Sequence, residues 1–104
     1  MKIQFNTDNN IQGTETLETI VSEKISYELK YFADKITRIE VHLSDQNASK
    51  TGPGDILCKI EARVEGMQSV MVTSKNASKE KAVEDAVNKM KATLSTVIGK
   101  MRNQ

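Results

Sequence analysis

The basic side chains near the end of the chain have the clearest potential for chemistry. The whole chain has 15 basic and 14 acidic residues, and residues 86–104 hold four of the basic ones and none of the acids. Clustered lysine and arginine side chains bind the phosphates of RNA or DNA, because their binding releases condensed counterions. The same cations also offset the negative end of a helix dipole, so charge alone leaves both interpretations open. The four residues are Lys89, Lys91, Lys100 and Arg102.

Basic residues also occur on the other predicted elements. Lys24 and Lys30 lie off the apolar stripe of a predicted first helix, so both predicted helices offer cations. On two predicted strands the acids Glu40 and Glu61 separate the basic residues, which favours cross-strand ion pairs. The predicted sheet also lacks aromatic side chains on which RNA bases could stack. Any nucleic acid should therefore be bound through its phosphates and recognised by shape. The strand-borne basic residues are Arg38, Lys59 and Arg63.

The residues that could support catalysis are isolated in the sequence. His42 is the only histidine and falls on the polar face of a predicted strand, where a cross-strand contact is the commoner role. Cys58 falls on an apolar face with no evident activating base, so it is expected to pack as a small hydrophobe. The chain contains no CxxC, HExxH or EF-hand spacing. We therefore predict that the protein is not an enzyme and holds no metal, cofactor or small-molecule substrate.

Length and composition are those of one small domain. The 104 residues are predicted to form a single domain over 1–104, with an aliphatic core because only 4% of the residues are aromatic. No apolar run approaches the ~20 residues that span a bilayer, and the N-terminus lacks the apolar segment of a signal peptide. The single cysteine cannot form an intramolecular disulfide. We expect a cytoplasmic protein without a membrane partner.

The hydrophobic pattern divides the chain into four strands and two helices. Alternating apolar and polar residues predict strands over 2–7, 37–44, 56–64 and 69–74. A stripe at spacings of four and three, from Leu17 to Phe32, predicts a helix capped by Thr14. A second stripe predicts a helix over 78–102 with Ser78 at its start. Residues 45–55 are rich in Gly, Pro, Asn and Ser and read as a mobile or functional loop.

The order of these elements, β-α-β-β-β-α, defines the expected fold. Strands that alternate polar and apolar residues leave one sheet face to water and bury the other. Each helix has one apolar stripe, so both must pack on the buried face. The sequence therefore predicts an α+β two-layer sandwich, a four-stranded sheet with two helices on one face and an antiparallel meander from the second strand to the fourth.

Four segments of the chain carry a resemblance to a known family. They are Ile3–Ile11, Ile36–Asp45, Cys58–Arg63, and Ala82–Met90 ahead of Leu94. With these segments the chain resembles the ribosome hibernation-promoting factor and ribosome-associated inhibitor family, in its short, single-domain form. The resemblance covers nearly the whole chain, and the element order is also that of the family.

This resemblance implies a domain similar to double-stranded-RNA-binding domains. It also implies binding to ribosomal RNA of the small ribosomal subunit, in the channel shared by messenger and transfer RNA, during stationary phase or stress. Occupancy of that channel would inhibit translation sterically and keep ribosomes in hibernation. Family members contact ribosomal RNA through basic residues on both helices. The matching RNA-binding positions are Lys24, Lys30, Lys89, Lys91, Lys100 and Arg102.

Two other functions stay open at the level of sequence. The chain has a net charge of only +1, and its first helix carries Glu18, Glu23 and Glu28. Both features fit a protein-interaction module of the same fold that has lost ribosome binding. A small hydrolase using His42 would need a pocket that the sequence does not reveal.

Overall fold

The computed structural model describes residues 1–8, 11, 14–45 and 55–102, with the side chains of residues 101 and 102 outside that description. The predicted order of elements is confirmed, and a short 3₁₀ turn follows the first helix. The loop predicted at 45–55 falls almost entirely outside the described residues. The elements are β1 Lys2–Thr7, α1 Thr14–Glu28, the 3₁₀ turn Lys30–Phe32, β2 Ile36–Asp45, β3 Ile56–Val64, β4 Val70–Asn76 and α2 Lys79–Arg102.

The four strands form one sheet in the order β1-β2-β3-β4. The antiparallel meander from β2 to β4 is as predicted. Strand β1 pairs in parallel with β2, with Ile3 opposite Ile39. Parallel neighbours need a long crossover connection, and α1 lies in the connection between these two strands. The sheet is therefore mixed, with β1 and β4 at its two edges.

The core lies between one face of the sheet and the two helices. Alternate residues in the middle of β2 are buried, and Ile39, Val41 and Leu43 are at most 1% exposed. Two residues of α1, Val21 and Ile25, are fully buried against the same cluster. Burying one such side chain is worth about 1.5–3 kcal/mol, so alternation in the strands and periodicity in the helices both favour this arrangement. The predicted two-layer sandwich is confirmed.

The first helix differs from its prediction at both ends. It begins with Thr14 as its first residue rather than as its cap, and it ends at Glu28 although the apolar stripe continues to Phe32. Beyond Leu29 the backbone hydrogen bonds change from the α-helical to the 3₁₀ pattern, in which the Phe32 N–H donates to the Leu29 carbonyl at 3.0 Å. Phe32 still packs on the core, half-buried. Tyr31, the middle residue of this turn, is 71% exposed.

The second helix starts with the predicted serine cap. The Ser78 Oγ accepts a hydrogen bond from the Lys81 N–H at 3.3 Å, and the Ser78 hydroxyl donates to the Glu80 carboxylate at 3.0 Å. Hydrogen bonds to the Glu80 carboxylate lower its pKa; the largest effect comes from a backbone N–H at this helix start and the next from the Ser78 hydroxyl. Strand β4 extends to Asn76 rather than ending at Ser74, and the Asn76 Oδ1 accepts a hydrogen bond from the Ser78 N–H at 3.2 Å.

Candidate nucleic-acid interface

The two helices lie side by side and run in the same direction. Their first turns meet in a groove lined by Leu17 of α1 and Glu80 of α2. Later turns meet where the Lys91 ammonium contacts the Glu28 carboxylate. From Lys91, α2 continues for eleven residues, about 16 Å at 1.5 Å per residue, whereas α1 ends at Glu28. The helices therefore present a paired section and a single section of α2 beyond it.

Lys91, a predicted RNA contact, joins the two helices. Its Nζ donates to Glu28 Oε2 at 3.2 Å, and the two side chains are 47% and 24% exposed. An exposed ion pair of this kind contributes about 0.2–1 kcal/mol, because water and salt screen it. A phosphate could therefore replace Glu28 as the partner of Lys91 at little cost.

Lys89 lies on the other flank of α2. Its Nζ donates to the backbone carbonyl of Thr73 at 2.8 Å, on the outer edge of β4. Two residues advance an α-helix by about 200°, so Lys89 and Lys91 point in nearly opposite directions. A lysine at a sheet edge also blocks the pairing of another strand there. The structure thus separates two lysines that are almost adjacent in sequence.

The remaining predicted positions divide between these flanks. Lys24 is half-buried and lines the groove between the helices, on the side of Lys91. Lys100 is exposed and follows Lys89 by eleven residues, about three turns, which places both on the same flank of α2. Arg102 lies in the last turn of α2, and its side chain is outside the described residues. One continuous basic face is therefore not formed by the described members of the predicted set.

Lys30 belongs to a cluster that the sequence analysis missed. Its Nζ lies 4.3 Å from the ring centroid of Tyr27 and 5.4 Å from that of Tyr31. Both tyrosines are largely exposed. The spacing of Ile20, Tyr27 and Tyr31, seven and then four residues, marks a second apolar stripe beside the buried one. That spacing is the signal of this cluster in the sequence, and it lies on the first helix rather than on the sheet.

The outer sheet face holds its charges differently from the helices. Register places Arg38 opposite Arg63 and Glu40 opposite Glu61, so directly opposed residues carry like charge. An ion pair does form on this face, but along β2, where Arg38 contacts Glu40 at 2.8 Å. Arg38 also donates to the Gln4 side chain of β1. Acidic and basic residues alternate along each strand, as predicted. The expected ion pairs between opposite charges on neighbouring strands are not formed by directly opposed residues, because the register places like charges opposite each other.

The two candidate catalytic residues lie on opposite faces of the sheet. Cys58 is fully buried, and burial raises the pKa of its thiol to about 12, so it is held in the unreactive protonated form. His42 is exposed on the outer face, opposite Lys59. Within the described ranges, no three His, Cys, Asp or Glu side chains are grouped to hold a metal ion. Neither helix of the described part of the chain combines the length and the hydropathy of a membrane span.

Comparison with known proteins gives matches of two kinds. Residues 3–102 match the family described as sigma 54 modulation protein / S30EA ribosomal protein, in agreement with the resemblance found in the sequence. A ribosomal subunit interface protein from Coxiella burnetii has a similar structure, with a TM-score of 0.77 and 14% identity over 95% of this chain and 99% of that one.

A second similar structure is the N-terminal domain of Protein Y from Thermus thermophilus. Its TM-score is 0.75, with 18% identity over 93% of this chain and 99% of that one. At these identities the two structures establish the shared fold. A search of curated proteins by sequence gave no match.

Proposed function

Since the chain belongs to the sigma 54 modulation protein / S30EA ribosomal protein family, we propose that it inhibits translation by binding ribosomal RNA of the small subunit. The protein would occupy the channel shared by messenger and transfer RNA under stress or in stationary phase, and so hold ribosomes in hibernation. It would act in the cytoplasm by steric occupancy, without catalysis. The observation that carries this proposal is the family match over almost the whole chain, residues 3–102.

The names of the similar structures and the chemistry of the helices support the proposal. One similar structure is named as a ribosomal subunit interface protein. In this chain, exposed lysines occur just after α1 and along α2. The described contacts of Lys30, Lys89 and Lys91 are exchangeable, and phosphate oxygens are stronger acceptors for an ammonium than a neutral carbonyl or a ring. Lysines of this kind suit a polyanion recognised by its backbone.

Sedimentation with ribosomes tests the proposal directly. The protein is centrifuged through a sucrose gradient with separated small and large subunits, at low and at moderate salt. We expect co-migration with the small subunit that weakens as salt rises, because phosphate contacts release counterions. A lack of co-migration at low salt, where such binding is strongest, would overturn the proposal.

A protein-interaction module of the same fold is the second candidate. The observation that favours it is the engagement of Lys91 by Glu28 and of Lys89 by Thr73, which leaves fewer uncommitted cations on the helices. In that case, affinity purification after nuclease treatment would recover one protein partner in fixed ratio and no ribosomal RNA. Recovery of small-subunit RNA without nuclease, and its loss with nuclease, would exclude this candidate.

A further inference from the structure

The end of α1 presents two flat rings and one cation to the surface. Tyr27 is 66% exposed and Tyr31 is 71% exposed, although most large apolar side chains of the described chain are buried. The Lys30 ammonium lies within 6 Å of both ring centroids. The next residue, Phe32, and the preceding Leu29 are anchored in the core. The cluster is therefore fixed to a rigid part of the fold while its rings face outward.

Charged residues flank the two tyrosines along the sequence. Lys24 lies one turn before Tyr27, and Asp34 follows Tyr31 by three residues. Glu28, next to Tyr27, is already paired with Lys91. A protein partner usually seals exposed tyrosines within a ring of contacts that exclude water, which charged neighbours oppose. A nucleobase needs only the face of a ring, and its phosphate is attracted to a nearby lysine.

We propose that Tyr27, Lys30 and Tyr31 form a stacking site for an unpaired nucleobase of ribosomal RNA. The base lies on a tyrosine ring, and the Lys30 ammonium moves from the rings to the adjoining phosphate. This inference rests on the proposed function, and it adds base stacking to binding that otherwise depends on phosphates. The family match does not address these two rings, and the sequence pattern pointed only to phosphate binding.

Relative strengths favour this exchange of partners. An exposed contact between a lysine and an aromatic ring contributes roughly two- to fivefold to an equilibrium constant. Stacking of a base on an aromatic side chain contributes roughly five- to a hundredfold for each base. The lysine is not lost in the exchange, because it gains a charged acceptor in place of a ring. Stacking therefore outweighs the contact that it displaces.

The chain contains its own reporter for this site. It has two tyrosines and no tryptophan, so its tyrosine fluorescence comes from the proposed site alone. The intact protein is titrated with a short single-stranded oligoadenylate, and separately with an abasic ribose-phosphate chain of equal length and charge. We expect saturable quenching by oligoadenylate and none by the abasic chain. Equal responses to the two probes, or no response to either, would overturn the proposal.

Affinity for small subunits provides the second readout. Replacement of both tyrosines by alanine, Y27A/Y31A, should weaken binding by about 10- to 100-fold, whereas Y27F/Y31F, which keeps both rings, should weaken it no more than about twofold. Met71→Ala is the matched control, because Met71 is 57% exposed on the outer sheet face. Circular dichroism verifies that each variant is folded.

The outcomes separate this inference from the proposed function. If the unaltered protein fails to bind small subunits, the proposed function fails with it. If the unaltered protein binds and Y27A/Y31A binds equally well, only the stacking site is excluded. Quenching by RNA-free small-subunit proteins, with none by oligoadenylate, would assign the cluster to a protein partner and overturn the proposal.

Discussion

The outer sheet face and the helix layer carry the same kinds of charged residue in different states. On the sheet, Arg38 is held by Glu40 along β2 and by Gln4 of β1, so its position is fixed by two partners. On the helices, Lys30, Lys89 and Lys91 each have exposed contacts that water or a phosphate can replace. The comparison shows that residue type alone does not identify a binding face; the number and strength of existing contacts also decide it.

Charge reversal on the two faces should give the largest difference. Lys89→Glu with Lys91→Glu is expected to weaken binding to small subunits by about 10- to 100-fold, because the flank of α2 that faces the RNA loses a phosphate contact and gains a repulsive charge. The matched control is Lys59→Glu with Arg63→Glu, which makes the same change in charge on the sheet. Its affinity should stay within about threefold of the original.

Sedimentation or filter binding measures both double variants. If the sheet variant loses as much affinity as the helix variant, net charge rather than a particular face governs binding. If only the helix variant loses affinity, the two single variants locate the contact further, since Lys89 and Lys91 lie on opposite flanks of α2. A loss confined to one of them identifies the flank that faces the RNA.

The sheet charges should matter for stability instead. Arg38→Met removes the partner of Glu40 and leaves that carboxylate opposite Glu61. We expect the free energy of unfolding to fall by about 1–3 kcal/mol, because a partly buried hydrogen-bonded charge loses its partner. Urea denaturation measures this change, and subunit binding by the folded variant should be nearly unaffected. A large loss of binding without a loss of stability would move Arg38 into the interface.

The contact between the helices should contribute little. A double-mutant cycle with Lys91→Ala and Glu28→Ala is expected to give a coupling free energy of about 0.2–1 kcal/mol that declines with added salt. Urea denaturation of the four proteins supplies the values. A coupling well above this range would show that Lys91 is committed to the fold and is not available to a phosphate.

The smallest expected effect concerns acid pH at the start of α2. A backbone N–H and the Ser78 hydroxyl lower the pKa of Glu80, so the folded state favours the charged carboxylate. This contribution is complete above the ordinary pKa of 4.5 and is lost as the pH falls through the lower folded pKa. Glu80→Gln should therefore slightly reduce stability at neutral pH and flatten its decline in acid. Thermal melts of both proteins across this range measure the difference, and parallel curves would contradict the expectation.

Much of the fold follows from local pattern. The bounds of β3 were predicted in full, because alternation along Ile56–Val64 agrees with burial at every position. Ser78 was predicted as a cap, and its hydrogen bond to Lys81 confirms that role. These features depend on neighbours in sequence, which a single chain reveals directly.

Other features depend on partners distant in sequence. The pairing of Arg38 with Arg63 is set by the β2–β3 register, which shifts between Ile36 and Arg38 and which alternation alone does not fix. Helical geometry predicts that Lys89 and Lys91 point in opposite directions, but their partners are known only from the positions of β4 and α1 beside α2. Lys30 and Tyr31 lie in the 3₁₀ turn after α1, and the buried apolar stripe, which continues to Phe32, does not signal that turn. The RNA-binding set therefore stays a prediction.

The parallel arrangement of the helices gives the molecule an electrical polarity that would act before any contact with RNA. At the end of the molecule where both helices begin, acids outnumber lysines: Glu15, Glu18, Glu80, Glu84 and Asp85 against Lys79 and Lys81. Lys30 follows the end of α1, and Lys100 lies near the end of α2. A field of this kind rotates a diffusing protein as it nears a polyanion. The more basic end would arrive first, so many encounters would begin in the orientation that binding requires.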